Sequence, residues 1–288
     1  MTMLGKTIAT IDKSDDYKAL VIHNEGKNFS VGANIGLMLF ASNIAAWPQV
    51  QSGIRGGQDV FMKLRFGNFP VVSAPSGIAV GGGCEILMHS DAVQAHAETY
   101  TGLVEVGVGV MPGWGGCKEM IRRHLGNKRA PRGPMPALVK AFELIGTAQV
   151  AKSAMEAQRD FLIINEDDTI TFNKERVLFD AKQRALGMVE GYQPPEEETF
   201  RLPGATGRAA IDMALHDFNM KGMASDYDVH VGREVAMVLT GGDTDVTEEL
   251  TERDLLKLEQ KHFVALTKQP KTLARLEHML STNKPLRN

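Results

Sequence analysis

The sequence predicts an α/β fold, because strands, turns and helices alternate along its first half. Short apolar runs rich in β-branched residues, at 19–23 and at Val71–Ala74, are typical of buried strands. A glycine-rich turn at 77–83 follows the second run, and a helical segment follows that turn. A chain in which strand, turn and helix repeat in this order is typical of the α/β class.

Length and composition fit a globular protein with its own core. The chain has 288 residues, of which 43% are hydrophobic and 23% are charged. A net charge of -3 gives no reason to expect binding to nucleic acid or to an anionic membrane. Two cysteines without a CxxC pair predict reduced thiols. We expect no signal peptide and no spanning helix, and therefore a cytoplasmic protein.

The predicted elements of the first half follow from spacing and breakers. Leu4, Ile8 and Ile11 recur at helical spacing, whereas Trp47 and Pro48 are expected to interrupt a helical stretch. Helices are predicted at 2–13, 36–42, 50–66, 85–90 and 117–124, and strands at 19–23, 71–74, 91–97 and 99–104.

The second half is predicted to be mainly helical. A loop with three prolines at 129–136 precedes it, and a proline-rich, acidic linker is predicted at 193–207. Thr251 and Asp254 have the spacing of a capping box, which predicts a helix that begins there. Further helices are predicted at 138–145 and 174–189, and around Leu273, Leu276 and Leu280.

The glycine-rich stretch at 77–83 is the first candidate for a binding site. Consecutive glycines before a helix let a ligand approach the main chain, where free N–H groups favour a phosphate or a developing oxyanion. A simple packing turn explains the same pattern. The sequence has no Walker loop, and Pro112 interrupts the nearest GxGxxG-like stretch, so no nucleotide fingerprint is present.

Two glutamates are candidates for proton transfer. Glu85 directly follows the first glycine stretch, and Glu105 precedes the second, at 106–116. Each has apolar neighbours, which is typical of a structural carboxylate or of one tuned for acid–base chemistry. The eight histidines show no metal-ligand spacing, and no GxSxG motif is present, so neither a metal site nor a serine triad is predicted.

Three ordered motifs resemble the signatures of the crotonase superfamily, the enoyl-CoA hydratases and isomerases. They are LVIHNEG at 20–26 with FSVGAN at 29–34, APSG at 74–77 with GGGCE at 81–85, and GLVE at 102–105 with MPGWGG at 111–116. SAMEA at 153–157 and the segment 278–288 resemble the C-terminal, hydratase-like half of bifunctional 3-hydroxyacyl-CoA dehydrogenases.

The resemblance implies a crotonase-type spiral of strand–turn–helix units. The spiral core would occupy residues 1–150, and a mainly helical C-terminal region would occupy residues 151–288. The family's opening strands would precede Met1. The implied activity is that of a lyase, an enoyl-CoA hydratase acting on trans-2-enoyl-CoA thioesters in fatty-acid β-oxidation, as part of a dehydrogenase-type protein.

The resemblance also assigns roles to five residues. The N–H groups of Val31 and Gly82 would form an oxyanion hole for the thioester oxygen. Glu85 would activate the water and Glu105 would deliver the proton to Cα. The N–H group of Gly113 would help to hold the water.

The remaining expectations concern ligands and partners. Ala33, Asn34 and Ile35 would lie along coenzyme A, which is part of the substrate, and no covalent cofactor and no NAD are expected. A homo-oligomer, a trimer or hexamer, is expected, with a dehydrogenase domain or subunit as a further partner. Two alternative functions stay open: an enoyl-CoA isomerase, and a non-catalytic module that binds acyl-CoA or supports assembly.

Overall fold

The computed structural model describes residues 2–288, which form two compact units. Each unit is assembled from three separate segments of the chain. The first comprises Met1–Gly32, Gly56–Gly102 and Val150–Glu196, and the second comprises Ala33–Arg55, Leu103–Gln149 and Glu197–Asn288. The expected division of the family core and its helical region at residue 150 stays a prediction.

The helices of the described residues, in chain order, are α1 Thr2–Ile11, α2 Ile35–Asn43, α3 Trp47–Arg65, α4 Gly82–Met88, α5 Gly116–Leu125, α6 Pro134–Gly146, α7 Ala154–Arg159, α8 Val177–Gly187, α9 Gly204–Met220, α10 Asp226–Leu239, α11 Glu252–Thr267 and α12 Pro270–Thr282. Short 3-10 helices lie at Glu105–Val108 and Lys174–Arg176. The strands are β1 Leu20–His23, β2 Val71–Ala74, β3 Ile78–Val80, β4 Ala92–His96, β5 Tyr100–Gly102, β6 Val150–Ala151, β7 Thr169–Thr171, β8 Thr199–Phe200 and β9 Leu250–Thr251.

The first unit is built on a four-stranded parallel sheet with the order β1-β2-β4-β7. A second sheet, β3-β5-β6, pairs β3 with β5 in parallel and β5 with β6 in antiparallel fashion. Parallel strands joined through helices confirm the predicted α/β class. The second unit is mainly helical and contains the short antiparallel pair of β8 and β9.

Helix α8 covers one face of the parallel sheet. Its buried residues Val177, Ala181 and Ala185 pack with Val72 and Ala74 of β2 in one apolar cluster. Because alanine side chains are short, the helix axis can approach the strands closely, and the strands can be apolar on both faces. The predicted helix at 174–189 is therefore confirmed in position, with a 3-10 turn at its start.

The predicted capping box begins α11. The Thr251 hydroxyl accepts a hydrogen bond from Asp254 N, and the Asp254 carboxylate accepts one from Thr251 N. These bonds satisfy N–H groups that have no partner within the helix. Hydrogen bonding from Thr251, supported by Lys257, lowers the pKa of Asp254 to about 2. A second capping box, Ser225 with Asp228, begins α10, which was not predicted.

Several predicted boundaries were wrong, and proline accounts for two of them. Pro48 lies in the first turn of α3, and Pro134 in the first turn of α6. A proline there loses no helical hydrogen bond, so the residue starts a helix instead of interrupting one. Helix α9 begins at Gly204, inside the predicted linker, and α4 begins at Gly82 instead of Glu85.

None of the helices within residues 2–288 is both long enough and apolar enough to cross a membrane.

The imidazole of His124 is buried near the end of α5. Burial disfavours the charged ring and lowers its pKa, and the positive charges of Lys140 and Arg123 lower it further against the opposing effect of Glu143. The pKa falls from 6.5 to about 4. The ring is therefore neutral in the folded protein at neutral pH.

This shift predicts that the protein becomes less stable in mild acid. Between pH 6.5 and about 4 the unfolded chain binds a proton at His124 that the folded chain does not, so the free energy of unfolding falls as the pH falls. Lowering the pH from about 7 to about 5 should cost about 2 kcal/mol through this residue. Urea unfolding at both pH values should show this loss reduced in His124→Gln.

The control variant is His216→Gln, because His216 is exposed on α9. It should show the same pH dependence as the wild type. An unchanged loss of stability in His124→Gln would contradict the assignment.

Candidate functional site

Two segments of the first unit run side by side at the start of the candidate site. Ser30 N donates to Ile78 O at 2.9 Å, and Val80 N donates to Ser30 O at 3.0 Å. Ser30 thereby forms a parallel bridge with Ala79. The first and second sequence motifs, which are about fifty residues apart in the chain, are therefore held together by backbone hydrogen bonds.

Glycine is required where these segments touch. A Cβ atom on Gly83 would lie 2.7 Å from Ser30 Cβ and 3.0 Å from Ser30 O. Gly77 has a φ of +64°, and a Cβ atom there would lie 2.2 Å from Lys27 O. Both positions therefore exclude a side chain for steric reasons, and Gly77 also for its backbone conformation. The packing of the two segments is therefore sufficient to explain why these positions are glycine.

The two predicted oxyanion-hole residues lie on these segments. Val31 precedes Gly32, and a Cβ atom on Gly32 would lie only 3.8 Å from Gly82 N. Gly82 is the first residue of α4, where N–H groups have no acceptor within the helix. The Val31 side chain is 68% exposed. The structure thus brings Gly32, the residue that follows Val31, close to the buried Gly82, and the catalytic role of Val31 and Gly82 stays a prediction.

Glu85 lies in the first turn of the same helix. Its side chain is 2% exposed, and its N–H group donates to Gly81 O at 3.0 Å. The buried ring of His89 donates from Nδ1 to Glu85 O at 2.7 Å. A buried carboxylate one turn from the helix N-terminus fits both a structural group and a group tuned for proton transfer, and the role of Glu85 stays a prediction.

Glu105 and Gly113 belong to the second unit. Glu105 was predicted to end a strand, but β5 ends at Gly102 and Glu105 opens a 3-10 helix, half-buried. Gly113 is buried against two apolar side chains: a Cβ atom there would lie 2.9 Å from Phe263 Cδ2 and 3.2 Å from Ile54 Cδ1. The role of Glu105 as partner of a second carboxylate stays a prediction.

The predicted coenzyme A contacts also lie in the second unit, around the start of α2. Asn34 is the N-cap of this helix, and its Oδ1 accepts from Gly36 N at 3.0 Å and from Leu37 N at 3.2 Å. Ala33 and Asn34 are exposed and Ile35 is half-buried. Asparagine before an apolar run is a cap signal, so the start of α2 at this position is predictable from the sequence.

A buried group of charges in the second unit was not predicted from the sequence. Lys118 Nζ donates to Glu119 Oε1 and to Glu252 Oε2, each at 2.6 Å, and all three side chains are fully buried. Arg122 donates to Glu119 at 2.9 Å. These ion pairs join α5 to the start of α11. The signal in the sequence for this buried group was the spacing of Glu252 and Glu259, which are seven residues apart in a leucine-rich helical segment.

The described residues offer no group of three or more His, Cys, Asp or Glu side chains arranged to hold a metal ion. A cleft of about 440 Å³ in the first unit is lined by Tyr17, Lys18, Lys63 and Tyr192, among others. No predicted site residue lines this cleft.

Comparison with known proteins gives a consistent result. Residues 1–138 match the family model described as enoyl-CoA hydratase/isomerase. The "Probable 3-hydroxyacyl-CoA dehydrogenase" of Bacillus subtilis (strain 168) is 40% identical over 274 residues, which cover 95% of this chain and 34% of that protein. The chain thus spans about a third of the length of this curated relative.

Two solved structures share the fold. An enoyl-CoA hydratase from Rhodobacter sphaeroides 2.4.1 matches with a TM-score of 0.68 at 15% identity, over 100% of this chain and 83% of that one. An enoyl-CoA hydratase from Bacillus halodurans matches with a TM-score of 0.62 at 17% identity, over 96% and 87%. At these identities the likeness supports the fold alone.

The close approach at Gly83 predicts opposite effects for one substitution at two positions. Gly83→Ala should destabilise the protein by about 1–3 kcal/mol, since the added methyl group meets Ser30 and its backbone carbonyl. Gly53→Ala, on the exposed side of α3 with no atom within 4 Å of the new Cβ, should stabilise it by about 0.5–1 kcal/mol. Urea unfolding of both variants measures the signs, and a neutral Gly83→Ala would contradict the described packing.

Proposed function

We propose that the chain hydrates trans-2-enoyl-CoA thioesters as a member of the crotonase superfamily of enoyl-CoA hydratases and isomerases, whose family model matches residues 1–138. The observation that carries this proposal is the close approach of Gly32, which follows Val31, to Gly82 at the start of α4, with the buried Glu85 one turn further along. Backbone N–H groups at a helix start favour a negative charge that develops on a thioester oxygen.

In the proposed reaction, water adds across the double bond next to the thioester. The water oxygen bonds to Cβ, and the electron pair of the double bond moves toward the carbonyl, which becomes an enolate oxyanion. The N–H groups of Val31 and Gly82 stabilise this oxyanion. Removal of one such donor typically lowers the rate by about 10²–10³.

Two carboxylates divide the proton transfers. Glu85, as an ionised carboxylate, takes a proton from the water as the oxygen attacks Cβ, and Glu105, as a protonated carboxylic acid, delivers its proton to Cα of the enolate. The Gly113 N–H group holds the water, and Ala33, Asn34 and Ile35 lie along coenzyme A. The product is a 3-hydroxyacyl-CoA, in which the water supplies the hydroxyl group on Cβ and Glu105 supplies the proton on Cα. Loss of a proton from Glu85 to solvent and uptake of one by Glu105 then restore both groups for the next turnover.

The name of the curated relative supports the substrate class. The Bacillus subtilis protein is named as a 3-hydroxyacyl-CoA dehydrogenase, and a 3-hydroxyacyl-CoA is what water addition to a 2-enoyl-CoA yields. We propose that the hydratase serves fatty-acid β-oxidation and works with a dehydrogenase domain or subunit. NAD would bind to that partner, whereas this chain would take coenzyme A only as part of its substrate.

We further propose a homo-oligomer. Exposed apolar side chains on the helices of the second unit support this proposal: Leu37 and Phe40 on α2, and Met213 and Met220 on α9, are each more than 60% exposed. Burial of such side chains in an interface is favourable. A cytoplasmic location stays a prediction.

The first test follows crotonyl-CoA by the absorbance of its conjugated enoyl thioester. With wild-type protein this absorbance should fall as the double bond is hydrated. Glu105→Gln should lower kcat by about 10²–10⁴ because proton delivery to Cα is lost. Glu98→Gln, at an exposed glutamate of the first unit, is the matched control and should keep wild-type activity. Absence of turnover in the wild type would contradict the proposed function and favour a non-catalytic module.

A second test separates hydration from isomerisation. An isomerase moves one proton between carbon atoms and needs no water-activating carboxylate, whereas a hydratase needs Glu85 for that step. Glu85→Gln should therefore lose hydration of crotonyl-CoA by about 10²-fold or more. If the same variant kept full activity on a 3-enoyl-CoA, the function would be that of an isomerase.

A further inference from the structure

One face of α11 presents two buried carboxylates to the start of α5. Glu252 and Glu259 are seven residues apart and therefore lie on the same side of the helix, and neither has exposed surface. Their partners differ in place. Glu252 Oε2 binds the side chain of Lys118 at 2.6 Å and its Oε1 accepts from Glu198 N at 3.3 Å, whereas Glu259 accepts from the backbone N–H groups of Gly115 and Lys118.

Glu259 caps α5 from another helix. Its Oε2 accepts from Gly115 N at 2.7 Å, and its Oε1 accepts from Lys118 N at 2.8 Å. Helix α5 has no capping side chain of its own, because its N-cap is Gly115 with a φ of 102°. A carboxylate at this place satisfies two N–H groups and complements the positive end of the helix dipole.

The next turn of α11 holds the other end of the same loop. Phe263 follows Glu259 by four residues, and it packs so closely on Gly113 that an added Cβ atom would lie 2.9 Å from its ring. Ile54 Cδ1 lies 3.2 Å from the same point. The backbone from Gly113 to Lys118 is therefore fixed by a hydrogen-bonded carboxylate at one end and by apolar packing at the other.

We propose that Glu259 is a positioning residue for hydration, acting through the Gly113 N–H group. This inference rests on the proposed function, in which Gly113 holds the attacking water. Glu259 does not touch the substrate in this assignment. Its two hydrogen bonds set where the loop that carries Gly113 lies, and a displacement of about 1 Å at a reacting group can cost about 10² in rate.

The test compares two reactions that differ in their need for the water. Hydration of crotonyl-CoA needs the water at Cβ, whereas deuterium uptake at Cα of butyryl-CoA needs only the oxyanion hole and the base for Cα. In Glu259→Gln, the amide nitrogen cannot accept, so one backbone hydrogen bond is lost. Hydration kcat should fall about 10- to 10²-fold, with KM and deuterium uptake changed less than about twofold.

Glu252→Gln is the matched control. It neutralises a buried carboxylate on the same face of α11, but this carboxylate binds the Lys118 side chain and Glu198 N instead of the backbone of residues 113–118. It should lower the stability of the protein and leave the ratio of hydration to deuterium uptake unchanged. Phe263→Leu, which loosens the contact on Gly113, is a second variant that should lower this ratio if Glu259→Gln does not fold.

The outcomes separate the two proposals. Wild-type protein without hydration would overturn the proposed function, and this inference with it. Wild-type hydration with an unchanged ratio in Glu259→Gln, or in Phe263→Leu where Glu259→Gln does not fold, would overturn the positioning role alone. An equal fall of the ratio in Glu259→Gln and Glu252→Gln would also overturn it, because the effect would then follow from a lost buried charge instead of the loop contact.

Discussion

The close approach of residues 28–32 to residues 76–83 is the constraint on which the candidate site depends. Ser30 can bond to the backbone on both sides of Ala79 only because Gly77 and Gly83 carry no side chain. The same contact places Gly82 at the start of α4 beside the segment that carries Val31. The same short stretch therefore meets two requirements. Its glycines allow close packing of the backbone, and its N–H groups are the ones proposed to stabilise an oxyanion.

The second unit is held together in part by buried charged side chains. Placing Lys118, Glu119 and Glu252 out of water is costly unless each is paired. The two hydrogen bonds of Lys118, together with Arg122 on Glu119, meet this requirement. Glu259 meets it through backbone N–H groups instead. The resulting network fixes α5 against α11. It also fixes the loop that contains Gly113, so the pairing of buried charges and the position of this candidate site residue depend on the same contacts.

The sequence was informative where the physical cause is local. Apolar runs located the strands β1 and β2, and the Thr251–Asp254 pair located the start of α11, because capping and strand burial depend on neighbours in the chain. Predictions from the sequence were wrong where one residue type is compatible with two local structures. Trp47–Pro48 predicts a break in a helix, but the first turn of a helix accepts proline, and α3 begins at Trp47. The prediction of a linker at 193–207 was wrong at its C-terminal end, since α9 begins at Gly204.

The sequence by itself determined the fold class, the motifs and the chemical nature of the candidate site residues, because residue type and spacing carry this information directly. Only the tertiary structure decided that Gly32, next to Val31, lies close to Gly82, that Gly113 is confined by Phe263 and Ile54, and that Glu259 caps α5. The physical reason is the distance along the chain. Glu259 is separated from Gly115 by 144 residues, and no periodicity or propensity links residues so far apart before the helices pack.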